Sequence, residues 1–351
     1  MSVRKKARVS QQSIAKELGV SQALVSLTLN GQRDRIHPET YQRIWDYAMK
    51  AGYKPKGIRL EDTPDDIRTR QIGIILRAGV NLHTQGSYFN HVLHGLNDQL
   101  LDDGYTGALL GSEDSMTPAR LAQLFGAGHA IKGVVLLGEV GDAFLEQLRE
   151  HTTHIVAVSA RHTGFCHSVL GNEPQALKSL VDHLRELGHQ RVGWLGGNAG
   201  LSRHENRLNA LRSALKLAGL TLDPRYVVKR AEGDRAEGNE AMLSLMPLRR
   251  RKDFPTAFVT YNLQMALGAA GVLEREGLHV PADVSLAAAD YSATATKASP
   301  SITAAGCDPE DLGREAARLA LSRGGDNSGA YHDLVLSSRL FVGESTGLPA
   351  R

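Results

Sequence analysis

The chain has 351 residues, of which 42% are hydrophobic and 23% charged, as is usual for a globular protein long enough for two or three domains. It has no N-terminal apolar leader and no apolar run of about 18 residues, so we expect a cytoplasmic protein that neither is secreted nor binds a membrane. The net charge is +3, but the first 60 residues hold 12 Lys and Arg against 4 Asp and Glu, and the remainder holds 29 against 34. A basic head on an acidic body is typical of a DNA-binding module joined to a ligand-binding one.

Residues 9–30, VSQQSIAKELGVSQALVSLTLN, predict two short helices joined by a tight turn. Ile14 and Leu18 fall on one apolar face, and Gly19 is placed where a glycine ends a helix. Ser21 is a suitable N-cap for the second helix. The pattern indicates a helix-turn-helix, in which the second helix enters the major groove with its N-terminal end first. The alternative is an ordinary helical hairpin, which the basic charge of this region disfavours.

The second helix of this motif is predicted to bury one face and to expose the other. The inward set is Leu24, Val25, Thr28 and Leu29. The outward set is Gln22, Ala23, Ser26 and Leu27. We predict that DNA is contacted by the outward set together with residues of the basic arm, the turns and the following linker, namely Arg8, Ser21, Asn30, Arg33, Tyr53, Lys54 and Leu60.

A third helix is predicted from about Pro38 to Ala51, and it completes a small all-α head of residues 1–56. Its apolar positions follow helical spacing: Tyr41, Ile44, Trp45, Ala48 and Met49. Residues 57–70 are a linker by composition, because charged and turn-forming residues replace the periodic apolar pattern.

From Gln71 onward, short apolar strands alternate with amphipathic helices. The predicted strands are Ile72–Leu76, Ala108–Leu110, Val134–Leu137, Ile155–Val158, Val192–Leu195, Ala257–Thr260 and Val284–Ala287. The predicted helices lie near Phe89–Asp102, Pro118–Phe125, Ala143–Glu150, Pro174–Leu187, Asn206–Ala218, Gly238–Leu245 and Met265–Glu276. This alternation predicts an α/β core of parallel sheets covered on both faces, and its length predicts two Rossmann-like lobes.

The sequence offers no catalytic constellation that we can identify. It has no GxSxG, P-loop, HExxH or CxxC motif, and the glycines of Gly193–Gly197 lack the remaining features of a dinucleotide site. Cys166 and Cys307 show no metal-ligand spacing and are expected to be reduced thiols. We therefore expect no metal, no cofactor and no enzyme activity. An α/β enzyme carrying a DNA-binding head remains the distant alternative.

Three segments of the head, SIAKELGVS, VSLTLNG and TYQRIWDYAMKAGYKP, resemble the lactose/galactose repressor family of bacterial transcription regulators, and the resemblance continues along nearly the whole chain. It implies a core like that of periplasmic sugar-binding proteins, with three crossovers between two lobes. We place the crossovers near Gly171, Asp290 and Gly324. The core of residues 71–351 then divides into a first lobe of about 71–170 and 291–324 and a second lobe of about 171–290 and 325–351.

The resemblance also implies the function. Members are repressors, usually homodimers, that bind a palindromic operator in double-stranded DNA and respond to a small-molecule effector held between the lobes. In the family, an arginine commonly occupies the position of Leu27, and a hinge helix inserts a leucine into the minor groove. Here the linker carries Lys56 where Asn is usual, followed by Pro64 and a run of carboxylates, which disfavour a helix close to phosphates. Whether a hinge helix forms stays open.

The family's effector residues are carried over position by position. Arg207, Asn262, Asp290, Arg161 and Asp308 stand at family positions, whereas Leu263 and Ser159 replace aspartates. The predicted effector site is Arg77, Ser159, Arg161, Arg203, Arg207, Arg235, Asn262, Asp290 and Asp308. We expect a sugar-like effector, and the gain of arginines with the loss of carboxylates favours an anionic one. Two alternatives remain: arginines that pair with Asp and Glu around a neutral sugar, and a degenerate cleft in an effector-independent regulator.

Overall fold

The computed structural model describes residues 10–29, 36–51, 70–80, 87–126, 131–292, 295–322 and 330–350. Within these ranges, no helix is both long enough and apolar enough to cross a membrane. The chain divides into two compact units, Met1–Ile67 and Arg68–Arg351. The linker lies largely outside the described residues, so the hinge-helix question is not addressed by this structure.

The first unit contains three helices, α1 (Gln11–Leu18), α2 (Gln22–Leu29) and α3 (Pro38–Lys50). Ser10 and Ser13 cap α1 reciprocally, since each hydroxyl accepts a hydrogen bond from the backbone N–H of the other residue, at 3.2 and 2.9 Å. Gly19 ends α1 with φ +65°, a conformation that favours glycine. The Ser21 hydroxyl accepts from the Leu24 N–H at 3.1 Å, which confirms the predicted cap of α2.

The three helices enclose a small apolar core. Ile14, Val25, Leu29, Ile44 and Ala48 are fully buried, and they come from all three helices. The predicted inward face of α2 is therefore confirmed, and the head has its own hydrophobic centre.

The second unit is built from two six-stranded sheets with helices on their faces. The first sheet contains β1 (Gln71–Leu76), β2 (Thr106–Ser112), β3 (Ile131–Leu137), β4 (Ile155–Val158), β5 (His167–Gly171) and β11 (Asp333–Leu336), in the order β11-β5-β4-β3-β1-β2. The second contains β6 (Val192–Gly196), β7 (Val227–Lys229), β8 (Ala257–Thr260), β9 (Ser285–Ala288), β10 (Thr303–Gly306) and β12 (Arg339–Phe341), in the order β12-β10-β9-β8-β6-β7.

The helices of this unit are α4 (Ser87–Asp102), α5 (Pro118–Phe125), α6 (Asp142–Arg149), α7 (Glu173–Glu186), α8 (Ser202–Leu217), α9 (Arg235–Leu245), α10 (Leu263–Arg275) and α11 (Pro309–Ser322). All strand pairs are parallel except β10 with β12, which is antiparallel. Separate apolar cores lie on the faces of the two sheets. The predicted doubly covered parallel sheets are confirmed.

Two of the three predicted crossovers are misplaced. The chain leaves the first sheet after Gly171 as predicted, but β10 follows Asp290 and still pairs with β9 in the second sheet. The return comes after Gly306, because α11 packs against α4 of the first lobe. The last crossover lies between Leu336 and Arg339 rather than near Gly324, because β11 pairs with β5. The predicted lobe boundaries at 291–324 and 325–351 are corrected accordingly.

Candidate functional site

The N-terminal half of α2 presents a mixed surface for DNA. Ser21, Gln22 and Ala23 are exposed, and Ser26 is half-buried. Leu27 is a large apolar side chain that is 40% exposed on the same surface. The outward face agrees with the sequence prediction. The other predicted DNA contacts lie outside the described residues: Arg8, Asn30, Arg33, Tyr53, Lys54 and Leu60.

A cleft with a cavity volume of about 70 Å³ lies between the two lobes of the second unit. Six predicted effector residues line it: Arg77, Ser159, Arg203, Arg207, Asn262 and Asp290. Further lining residues that the sequence prediction missed are Tyr88, Phe89, Gly138, Glu139, Asn198, Leu201, Gly233 and Tyr261. The cleft combines aromatic rings with a few polar groups, as small-molecule sites do.

Arg207 is the most deeply buried charge in this cleft, with 2% of its surface exposed. Its Nε and Nη2 donate to the two carboxylate oxygens of Glu173 at 2.7 and 3.2 Å. Its Nη1 donates to the Tyr261 carbonyl, and its guanidinium lies over the Tyr261 ring, 4.8 Å from the centroid. A bidentate ion pair and a cation–π contact therefore fix this side chain.

Arg203 lies one helical turn before Arg207 and shares its partner. Its Nε donates to Glu173 at 2.9 Å, and its Nη2 donates to the Tyr88 hydroxyl at 3.2 Å. Burial alone would raise the pKa of the Glu173 carboxyl, but the two guanidiniums outweigh it and hold that pKa below its ordinary value. Glu173 is thus an ionised carboxylate bridging two arginines.

Asn262 and Asp290 are held by backbone groups. The Asn262 side chain caps α10 by accepting from the Met265 N–H at 2.9 Å, and it donates to the Gly233 carbonyl at 2.6 Å. Asp290 accepts from the Leu263 N–H at 2.6 Å. Burial raises the pKa of the Asp290 carboxyl. Leu263 is buried, and its backbone N–H is the group that takes part in this arrangement.

Three polar contacts join the lobes across the cleft. Glu139, after β3, accepts from the Ser202 N–H at 2.8 Å and from the Ser202 hydroxyl at 2.5 Å. Arg77 donates to the Asn198 side chain at 3.0 Å. The third contact is the bond from Arg203 to Tyr88 described above. Because α8 has no side-chain cap of its own, a carboxylate from the opposite lobe caps this helix.

Two cleft residues have an unusual backbone. Among the described residues, Ser159 (φ 62°) and Asn198 (φ 55°) are the non-glycine positions with positive φ. Ser159 shares a 2.7 Å hydrogen bond with the Tyr88 hydroxyl, and Asn198 bonds Arg77. Such conformations concentrate at ligand-binding sites, where the surrounding structure holds them in place.

Three predicted effector residues lie away from the cleft lining. Arg161 is half exposed and pairs with Asp333 at 2.6 Å. Arg235 begins α9 and is exposed. The Asp308 carboxylate accepts from the Glu310 N–H at 3.0 Å, at the start of α11. Arg161 lines a neighbouring pocket together with Ser159, Glu173 and Arg203, and a role of these three residues in effector binding stays a prediction.

The predicted excess of positive charge is also corrected. Glu173 neutralises one of the two inner arginines and shares its bonds between both, and Asp290 faces the same pair. Arg77 and Glu139, one of each sign, lie on the outer part of the lining. Cys166 and Cys307 are buried free thiols, and burial raises the pKa of each to about 12.

Comparison with known proteins gives consistent results. Residues 181–346 match the periplasmic binding protein-like domain family. The HTH-type transcriptional repressor PurR of Aliivibrio salmonicida is 25% identical over 316 residues, covering 88% of this chain and 90% of that protein. The solved CelR–cellobiose complex is similar with a TM-score of 0.66 and 25% identity, covering 96% of this chain and all of that one. The lac repressor dimer bound to operator and the anti-inducer ONPF has a TM-score of 0.69 at 18% identity, covering 97% and 100%.

Proposed function

The chain belongs to the lactose/galactose repressor family of transcription regulators, and from that premise we propose a homodimeric cytoplasmic repressor whose DNA binding is controlled by a small neutral ligand between the lobes. The observation that carries the proposal is the cleft itself. Six residues predicted for effector binding converge on it, and three polar contacts across it connect the lobes.

The head supplies DNA binding. The exposed polar residues at the start of α2, led by Gln22, are positioned to contact base edges, and the basic residues of the head are suited to phosphates. Leu27 adds an exposed apolar side chain, which fits a thymine methyl group. One head makes too small a contact to be selective, so two copies on a palindromic operator are expected, as in the lac repressor dimer bound to its operator.

The ligand is proposed to be neutral and rich in hydroxyl groups. Arg207 has five N–H donors, of which three are bound, so two remain for ligand oxygens. Asp290 can accept hydroxyl hydrogen bonds, and Phe89 offers an apolar ring surface. The related CelR was solved with cellobiose, a neutral sugar. This replaces the anionic effector suggested by the arginine count alone.

Control would follow from lobe closure. Ligand groups that contact both lobes stabilise the arrangement held by the Glu139–Ser202 and Arg77–Asn198 contacts. In a dimer, a change of lobe angle alters the spacing of the two heads and therefore the affinity for the operator. An effector-independent regulator with a degenerate cleft is the alternative, and the ordered polar groups of the lining speak against it.

The experiment is a metabolite screen on the full chain by thermal shift, followed by operator binding with and without each hit. We expect a neutral sugar or glycoside to stabilise the protein and to change operator affinity. Arg207→Ala should abolish the stabilisation, whereas Arg235→Ala, an exposed arginine away from the cleft, should leave it unchanged. A ligand that acts equally on both variants, or tighter binding of a sugar phosphate than of its neutral sugar, would contradict this proposal.

A further inference from the structure

The two inner arginines of the cleft are arranged as an anion-binding pair that already holds an anion. Arg203 and Arg207 are four residues apart on α8, so their side chains leave the same face of the helix. Both guanidiniums direct N–H groups at one carboxylate, that of Glu173 at the first position of α7. This is the bidentate geometry by which arginine binds the carboxylate or phosphate of a ligand.

Glu173 lines a narrower pocket that shares Arg203, Arg207, Tyr88 and Asp290 with the cleft. Its side chain is 16% exposed, against 2% for Arg207 and 19% for Arg203. The same pocket is lined by Gly171, Gly306 and Ser338, at the segments where the chain passes between the lobes. A ligand that reaches Arg207 therefore approaches Glu173 as well.

We propose that Glu173 is a specificity-determining residue that makes the cleft reject anionic ligands, because its carboxylate occupies the place between Arg203 and Arg207 where a ligand anion would bind. The inference rests on the proposed function, since it concerns the ligand of the same cleft. Glu173 cancels one of the two positive charges and lies between both guanidiniums, so an incoming anion gains less attraction and meets a like charge at the place where it would bind.

The arginines paired with Glu173 can still donate hydrogen bonds to a neutral ligand. Two N–H groups of Arg207 and three of Arg203 remain after the bonds to Glu173, Tyr88 and the Tyr261 carbonyl are counted. These donors bind uncharged oxygen acceptors without requiring a counter-charge. Glu173 thus offsets positive charge of the arginines and leaves several of their N–H groups available to donate hydrogen bonds to a ligand.

The test is anion binding by the full chain carrying Glu173→Gln, which keeps the shape of the side chain and removes its charge. The probe is inorganic phosphate, compared with chloride at equal ionic strength, and binding is followed by calorimetry and thermal shift. The control is Asp182→Asn, which removes a carboxylate from an exposed ion pair with Lys178 on the same helix. A second variant, Glu173→Gln with Arg203→Gln, restores the charge balance.

We expect Glu173→Gln to bind phosphate at least about tenfold more tightly than the unmodified protein and Asp182→Asn, and the double variant to lose that gain. If Glu173→Gln is unfolded in chloride, phosphate should restore folding by taking the place of the carboxylate. Equal phosphate binding with and without Glu173, a gain that survives in the double variant, or a variant that stays unfolded in phosphate would each overturn the inference. Phosphate binding is measured without operator or effector, so its outcome is separate from that of the metabolite screen.

Discussion

Replacing Glu139 by alanine should loosen the closed arrangement of the lobes. In the structure its carboxylate accepts two hydrogen bonds from Ser202, one from the backbone N–H and one from the hydroxyl. The residue before this helix, Leu201, provides no side-chain cap, so the cap depends on the opposite lobe being in place. The variant removes an interaction that exists only when the lobes are closed.

The size of the effect can be worked from the two contributions. A side-chain cap contributes about 0.5–2 kcal/mol, and a carboxylate near a helix N-terminus about 0.3–1 kcal/mol at an exposed site. The two descriptions overlap, so a loss of about 1–2 kcal/mol is reasonable for this half-buried residue. The ratio of closed to open molecules should then fall by a factor of about 5–30.

Hydrogen exchange at the start of α8 is the direct assay. The amides of Ser202 and Arg203 should exchange faster in Glu139→Ala by about the same factor, while amides of the buried strand β6 should be unchanged. Glu146→Ala, an exposed carboxylate of the first lobe on α6, serves as the control. Unchanged exchange at the start of α8 in Glu139→Ala would show that this contact does not hold the lobes together.

Three further outcomes are expected. Gln22→Ala should lower the discrimination between bases at one operator base pair by about 1–3 kcal/mol. Arg8→Ala should instead weaken the affinity for all DNA sequences alike and make that affinity less dependent on salt. An unchanged sequence preference in Gln22→Ala would mean that α2 is not the helix that contacts the bases. Leu60→Ala should cost little operator affinity because the linker is acidic and contains Pro64, and a loss of about 100-fold, or about 2.7 kcal/mol, would contradict this. Because burial lowers the pKa of His162 and His189 below 6.5, protonation favours the unfolded chain, and the free energy of unfolding should fall as the pH drops through 6.5. Urea unfolding between pH 8 and 5 checks this expectation, and His162→Gln should reduce the slope.

The central strands could be predicted because their sequences are continuous apolar runs. Strands such as Ile155–Val158 are buried at every position, so every residue in them is apolar. The missed strands lack that signal. In β11 (Asp333–Leu336) the first three residues are exposed, and β10 (Thr303–Gly306) is built from small residues. Their absence from the prediction moved two crossovers to the wrong place.

The part of the candidate site that could be predicted came from the resemblance to the family. Arg207 and Asp290 were assigned by matching family positions, and both line the cleft. Tyr88 and Phe89 line the cleft but are absent from the predicted site, although two adjacent aromatic residues at the start of a helix can indicate a ligand-binding surface. Glu173 was not foreseen, because the strand that precedes it, His167–Gly171, was itself missed. Without that strand, the sequence gives no reason to place Glu173 at the edge of the sheet.

The location of Glu173 also accounts for the departure at Ser159. The sequence resemblance implies an aspartate at that position, and its absence beside two arginines would leave an uncompensated buried charge. Here Ser159 instead shares a hydrogen bond with the Tyr88 hydroxyl, which in turn accepts from Arg203. The carboxylate that the arginines require comes from Glu173, on the opposite lobe from Ser159. A negative charge on the first lobe would attract the arginines across the cleft in the closed form alone, whereas Glu173 holds them in place through contacts within one lobe. The ion pairs of both arginines with Glu173 are therefore kept whether the lobes are open or closed, and the balance between the two forms depends on weaker polar contacts and on the ligand.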